Sequence, residues 1–417
     1  MTPELRALAR EIEREVAEAV SHEAQRLSAD GLAAAVDDMI GESLRRRRLD
    51  ALHNNLPWLD ADEEAAVVSA VRHAWVGLGG LQKYLDDPDV ENISVNGADE
   101  VWIEYVGGPI IRGEPVADSD AELINLVSNA VTRLGSTERR FDAASAHVTL
   151  RLPDGSRLFA VRDVSHRPTV DIRRHRILDA TLDELTDRGM VDFRVRGLLA
   201  DAMRARCRLL IAGPPGVGKT TLAAALLSEL PPNVRIVTME DTREFPSAVA
   251  GRNIASLETR DANVEGVGAI RLSDLALMSA RMNPAFIAVG EMRGDEVVPG
   301  LNALSHGTPG LATIHAASAE NAFLKLAVYA MQAPQRLSLE ATMVLAASAI
   351  DFVIFVNRDA VNIRRVLEVR EVDGVEGATV RTNRVFVADP LDGTTEFVPP
   401  RSLASVATHP RRIEALQ

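Results

Sequence analysis

Residues Gly213-Pro-Pro-Gly-Val-Gly-Lys-Thr-Thr221 limit what this chain can fold into more than any other run. The pattern is G-x-x-x-x-G-K-T with a second threonine behind it. Gly213, Pro214, Pro215, Gly216, Val217, Gly218, Lys219, Thr220 and Thr221 are therefore a candidate phosphate cradle. Glycines let the backbone wrap an anion with its N–H groups turned inward. Lys219 can reach the β- and γ-phosphates, and the Thr220 hydroxyl can ligate Mg²⁺. The motif requires a strand before it and a helix after it. Arg208-Leu-Leu-Ile-Ala212 is an apolar run of strand type, and Leu222 to Leu230 favours helix until Pro231-Pro232 stops it. The helix N-terminus then adds its partial positive charge to the cradle.

A phosphate cradle of this kind works with a second strand that ends in an acid. Two segments qualify. Val234-Arg-Ile-Val-Thr-Met239 runs into Glu240-Asp241, and Phe286-Ile-Ala-Val289 runs into Gly290-Glu291. An acid at the carboxyl end of a central strand stands beside the phosphates, where it can hold Mg²⁺, directly or through water, or orient an attacking water. A third apolar strand, Gly310-Leu-Ala-Thr-Ile-His315, ends in a histidine. His315 reads equally as a structural residue or as a sensor of the γ-phosphate.

Charge and length narrow the remainder. At 417 residues the chain has room for two or three domains. Its net charge of −14 argues against a general binder of polyanions, and no direct nucleic-acid contact is expected. Its single cysteine, Cys207, permits no internal disulfide and suits a reducing compartment. No signal peptide is visible. The longest apolar stretch, Ala341 to Ile350, is too short to cross a bilayer and runs into Asp351. A cytoplasmic location with only peripheral membrane contact is expected.

The pattern changes along the chain. Residues 1–75 read as a helical segment, with an apolar stripe at Leu5, Leu8, Ile12, Val16 and Val20. The four arginines from Arg45 to Arg48 read as a solvated helix face. Residues 76–175 read as a small α+β domain. Its strands are expected at Val90–Val95 and Val101–Val106 around Asn96-Gly97, and at Val148–Leu152 and Arg157–Val161 around Pro153-Asp-Gly155. A helix is expected over Ala121 to Leu134. Residues 176–195 read as a linker. From 196 to 417 strands and helices alternate as in a mostly parallel α/β sheet. Between Arg139 and Arg176 stand nine arginines and four aspartates, with no lysine or glutamate. Guanidinium forks suit phosphate oxygens, and in so acidic a chain this local reversal of sign calls for an anion or for solvent.

Taken together, Gly213–Thr221, Val237-Thr-Met-Glu-Asp-Thr-Arg243, Ile287-Ala-Val-Gly-Glu-Met-Arg293 and Leu311-Ala-Thr-Ile-His-Ala316 resemble the Walker A, Asp box, Walker B and His box of the secretion-ATPase superfamily, in that order. Leu85-Asp-Asp-Pro-Asp-Val90, Val95-Asn-Gly97, Arg151-Leu-Pro-Asp-Gly-Ser-Arg157, Leu367-Glu-Val-Arg-Glu-Val372 and Thr382-Asn383 resemble its tight-adherence (Tad/Flp) pilus branch, the CpaF-like ATPases. The resemblance spans roughly residues 80–400. It implies a RecA-like P-loop ATPase domain behind a mobile N-terminal domain, ATP and Mg²⁺ as ligands, a homo-hexameric ring, and inner-membrane platform proteins as partners. It gives Glu291 and Glu240 the acid roles, with the general base left open between them, and it gives Arg157, Arg173 and Arg174 a reach to the nucleotide. The loop Ser305-His-Gly-Thr-Pro-Gly-Leu311 departs from the family pattern. It is one residue shorter and carries proline where an acid is common. Two alternatives stay open beside a pilus or type II/IV secretion motor: a conjugation-type ATPase, and a nucleotide-binding scaffold with negligible turnover.

Overall fold

The computed structural model describes residues 2–20, 29–75, 77–134, 140–174, 180–245, 251–260, 262, 266–391 and 393–403. The chain divides into two compact units, Met1–His175 and Arg176–Gln417.

The first unit begins with three helices, α1 (Pro3–Val20), α2 (Ala29–His53) and α3 (Ala61–Trp75). The stripe expected on α1 is the packing face. Leu5, Ile12 and Val16 are buried against Ile40, Leu44, Val67 and Val71, and Leu8 packs at the edge of that cluster. The Val20 side chain lies outside the described residues. The arginine run is only partly solvated, because Arg46 and Arg47 pair with Glu15, and Arg47 also with Glu11.

A short helix, α4 (Gln82–Asp86), leads into an α+β fold made of β1 (Val90–Asn96), β2 (Val101–Tyr105), β3 (Ile110–Arg112), α5 (Asp120–Leu134), β4 (His147–Arg151), β5 (Arg157–Val161) and β6 (Thr169–Arg173). The strands form one sheet of six in the order β3-β2-β1-β6-β5-β4, antiparallel throughout. Period-two alternation sends Ile93, Ile103, Leu150, Leu158 and Ile172 into a core closed by Leu123, Val127, Ala130 and Val131 of α5. Gly155 turns the β4–β5 hairpin with φ +86, a conformation that side chains with a Cβ resist.

The second unit contains α6 (Leu182–Asp187), α7 (Phe193–Arg204), β7 (Leu209–Gly213), α8 (Lys219–Ser228), β8 (Ile236–Glu240), β9 (Ile254–Glu258), α9 (Leu272–Ser279), β10 (Phe286–Met292), α10 (Val297–Ser305), β11 (Gly310–His315), α11 (Ala319–Gln332), α12 (Leu339–Ala349), β12 (Phe352–Arg358), β13 (Arg364–Glu376), β14 (Thr379–Ala388) and β15 (Thr395–Phe397). Its nine strands follow the order β15-β14-β13-β12-β7-β11-β10-β8-β9. Pairings from β9 to β12 are parallel, and those from β12 outward are antiparallel. β7 and β8 are buried at every position, as expected of strands covered on both faces. The four parallel strands β7, β11, β10 and β8 are neighbours, so their carboxyl ends share one edge of the sheet.

The expected linker is not one. From residue 180 to 195 the chain is part of the second unit. Thr181 caps α6 in a reciprocal box with Glu184, and Leu182, Leu185, Met190 and Val191 enter the core. A 176–195 stretch with few aromatic residues looks polar in sequence, yet its leucines are spaced to bury one face. Leu182→Ala should therefore lower the stability of the second unit by about 2–5 kcal/mol. The denaturant midpoint of that unit's transition measures the change, and an unaltered midpoint would show a linker after all.

Candidate active site

The candidate site is assembled where β7, β11, β10 and β8 end. β7 delivers Gly213 to the sheet edge, and a Cβ there would come within 2.1 Å of the Val356 carbonyl oxygen on β12, so only glycine fits. Gly216 and Gly218 follow with φ +71 and +92, and α8 starts at Lys219. The strand–loop–helix context that the motif requires is present. Positive φ at two glycines and a helix N-terminus aimed out of the loop are the means by which backbone N–H groups converge on an anion.

His315 is paired with Gly213 across β11 and β7. Its Nδ1 lies 3.0 Å from Lys219 Nζ, and its Nε2 lies 3.0 Å from Glu291 Oε1. Lys219 is buried and also donates to the carbonyls of Gly213 and Pro214, at 3.0 and 2.8 Å. A protonated lysine makes Nδ1 the acceptor, which puts the ring proton on Nε2, facing the carboxylate. Three residues singled out in three separate motifs thus stand in one line of close contacts.

Glu291 owes its position to a β-bulge. Val289 pairs with Ala312 and Met292 with Ile314, so one extra residue is inserted at Gly290-Glu291. Such an insertion re-aims a side chain at the end of a strand. Thr313 Oγ1 donates to the Gly290 carbonyl at 2.5 Å and holds the bulge.

Glu240 behaves differently. It is 2% exposed, and its Oε1 accepts the backbone N–H groups of Glu244 and Phe245, both at 2.7 Å. It fastens the loop that follows β8 and is turned into the protein. Burial pushes its carboxyl up from 4.5 to about 8, against the opposing pull of the two N–H donors.

The loop that Glu240 fastens presents a residue that sequence reading passed over. Glu244 Oε2 accepts the Thr220 hydroxyl at 2.9 Å, so the carboxylate beside the P-loop threonine is Glu244. The signal was its place three residues after Asp241, one residue past the run Val237–Arg243 that resembles the Asp box. Arg293, just past β10, pairs with Asp241 and ties the two acid-bearing segments together. His306 closes α10 and is exposed.

This donor set fits a magnesium–nucleotide complex. Among the described residues no group of three or more His, Cys, Asp or Glu could hold a metal by itself. Mg²⁺ characteristically takes one or two protein oxygens and completes its shell from phosphate and water. Thr220 with Glu244 or Glu291 offers that much.

The three candidate arginines lie in the first unit. Arg157 and Arg173 are cross-strand partners on β5 and β6. Arg174 is engaged within that unit. It donates to the carbonyls of Asp87 and Val90 and lies 3.9 Å from Asp154. Cys207 is partly buried against the core, and the loss of water around it raises its thiol pKa to about 12 and makes it a poor nucleophile.

A family model described as type II/IV secretion system protein matches residues 76–371. The chain belongs to that family. A Mycobacterium tuberculosis protein named for conjugal transfer is 32% identical over 323 residues, covering 75% of this chain and 89% of its own length. VirB11 of Agrobacterium fabrum is 28% identical over 301 residues, covering 66% of this chain and 86% of its own. Among solved structures, the pilus retraction motor PilT with bound ADP is similar at TM-score 0.50 and 14% identity, over 82% of this chain and 89% of that one. That likeness concerns the fold, a RecA-like domain preceded by an N-terminal domain. With its P-loop lysine, strand-end acid and histidine in contact, this secretion-family chain is an ATP hydrolase.

Two expectations follow from the geometry. Lys219→Ala should abolish turnover while leaving the fold intact, and Glu291→Gln should keep ATP binding while hydrolysis falls about 10²–10⁴-fold. Steady-state ATPase rates beside nucleotide affinities decide both, and wild-type rates in either variant would remove that residue from the site. A carboxyl with a higher pKa folded than unfolded contributes stability that is fully present below pH 4.5 and is lost as pH rises to about 8. Glu240→Gln should flatten the fall in melting temperature across that window. An unchanged slope would mean that Glu240 does not carry the proton.

Proposed function

We propose that this ATPase powers assembly of a Tad/Flp-type pilus or export through a type II/IV secretion machine. In this reading it acts as a homo-hexamer, peripheral at the inner face of the membrane and docked on inner-membrane platform proteins. The observation that carries the proposal is the line Lys219–His315–Glu291 at one sheet edge, within a chain of the secretion family. The pilus branch is supported by the sequence runs Leu85–Val90 and Arg151–Arg157. No helix among the described residues is long and apolar enough to cross a membrane.

In this reading catalysis consists of positioning and electrostatics. Lys219 neutralises the β- and γ-phosphates. Bound Mg²⁺ supplies further positive charge to the phosphate oxygens, with Thr220, Glu244 and Glu291 as its candidate protein oxygens. Glu291 is the better candidate to orient water, because Glu240 is buried and committed to two backbone N–H groups. His315 links the lysine to that carboxylate and reports phosphate loss from one to the other. Arg157 and Arg173 are assigned to charge neutralisation during turnover. Arg174, held by backbone carbonyls, is the least suited of the three.

A conjugation-type machine is the second reading, favoured by the 32% identity to a protein named for conjugal transfer. Deleting the gene and complementing it with wild type or Glu291→Gln separates the two. Loss of surface pili, restored only by wild type, is the expected result. Intact pili together with lost plasmid transfer would select conjugation.

A further inference from the structure

Glu291 stands on a two-residue span that neither neighbouring strand pairs. Pairing of β10 with β8 ends at Val289–Met239. Pairing with β11 passes from Val289–Ala312 to Met292–Ile314 and skips Gly290 and Glu291. Just beyond the span the chain is fixed again. Met292 is buried, and the buried Glu296 carboxylate accepts the backbone N–H groups of Arg293 and Gly294. What can still turn is the peptide that joins Gly290 to Glu291. Glycine tolerates either orientation of such a peptide, and the orientation sets the direction in which the Glu291 side chain leaves the strand.

Thr313 holds that peptide. It lies on β11 between Ala312 and Ile314, level with the span, and is 2% exposed. Its Oγ1 donates to the Gly290 carbonyl at 2.5 Å. Side chains two apart on a strand share a face, so Thr313 and His315 leave β11 together. Thr313 takes the carbonyl of the first bulge residue, and His315 Nε2 lies 3.0 Å from the carboxylate of the second. Toward β8 Gly290 has little slack. A Cβ there would lie 3.0 Å from Glu240 Cγ, and 3.4 Å from Glu240 Cβ and from the Met239 carbonyl oxygen. Glu240 is itself tied down, because its Oε1 accepts the N–H groups of Glu244 and Phe245. The span is confined between a buried threonine and a buried glutamate.

We propose that Thr313 is a positioning residue for ATP cleavage: its hydroxyl, bonded to the Gly290 carbonyl, sets the aim of the Glu291 carboxylate. Thr313 acts through Glu291 and not on the nucleotide, so the proposal rests on the reading that Glu291 orients the attacking water. A reacting group misplaced by about 1 Å can cost on the order of 10²-fold in rate. ATP binding, carried by the P-loop backbone and Lys219, is left alone. The plain alternative is that Thr313 only fills space as a β-branched strand residue. Valine fills that space and cannot donate, which separates the two roles.

The test compares single-turnover ATP cleavage, KM and thermal stability in the full chain carrying Thr313→Val, Thr313→Ser, Glu291→Gln or Thr313→Val with Glu291→Gln. Thr313→Val should slow cleavage about 10–100-fold and keep KM within about twofold of wild type. Thr313→Ser keeps the donor and should recover most of the rate. If the valine variant does not fold, Thr313→Ala removes the hydroxyl without added bulk and carries the same comparison. In the Glu291→Gln background, Thr313→Val should cost less than about twofold more, because no carboxylate remains to be aimed. Wild-type cleavage in Thr313→Val or Thr313→Ala, with Glu291→Gln slow, overturns the proposal. So does a valine effect undiminished in the Glu291→Gln background, or a serine variant no faster than the valine one. Wild-type cleavage in Glu291→Gln would instead remove the reading of Glu291, and the proposal with it.

Discussion

The line of contacts from Lys219 through His315 to Glu291 is what the remaining architecture serves. The Lys219 ammonium lies on one side of an imidazole and the Glu291 carboxylate on the other, each 3.0 Å from a ring nitrogen. That imidazole belongs to His315. It can take the position because β11 is the immediate parallel neighbour of β7, which puts His315 opposite Gly213. The bulge at Gly290-Glu291 then turns the carboxylate toward Nε2. Remove the parallel order β7-β11-β10, and the three motifs no longer meet.

Around this line, acids are separated by environment. Glu291 is partly exposed and faces a histidine, whereas Glu240 is buried and spends its oxygens on backbone N–H groups. Two strand-end glutamates of one sheet edge thereby stand in different surroundings, one against His315 and one holding the loop that carries Glu244.

Much of this was legible in sequence because the signals were local. Gly213–Thr221 carries its own strand and helix, and Asn96-Gly97 and Pro153-Asp-Gly155 mark turns through backbone geometry alone. The strands ending in Glu240, Glu291 and His315 could be read as buried apolar runs. What could not be read depended on partners distant in sequence. The commitment of Glu240 to Glu244 and Phe245, the one-residue bulge, and the withdrawal of Arg174 into carbonyl contacts all arise from tertiary packing. Residues 180–195 misled because a charged surface hides the leucines that α6 buries, and pattern over so short a stretch gives no period to follow.

The most direct test of the account is single-turnover ATP cleavage by His315→Ala, measured beside ATP affinity and thermal stability. If His315 links Lys219 to Glu291, the variant should fold and bind ATP nearly as well as wild type and cleave it at least about tenfold more slowly, since neither partner is held in line. Cleavage at the wild-type rate would contradict the account, because lysine and carboxylate would then be working without the group that joins them.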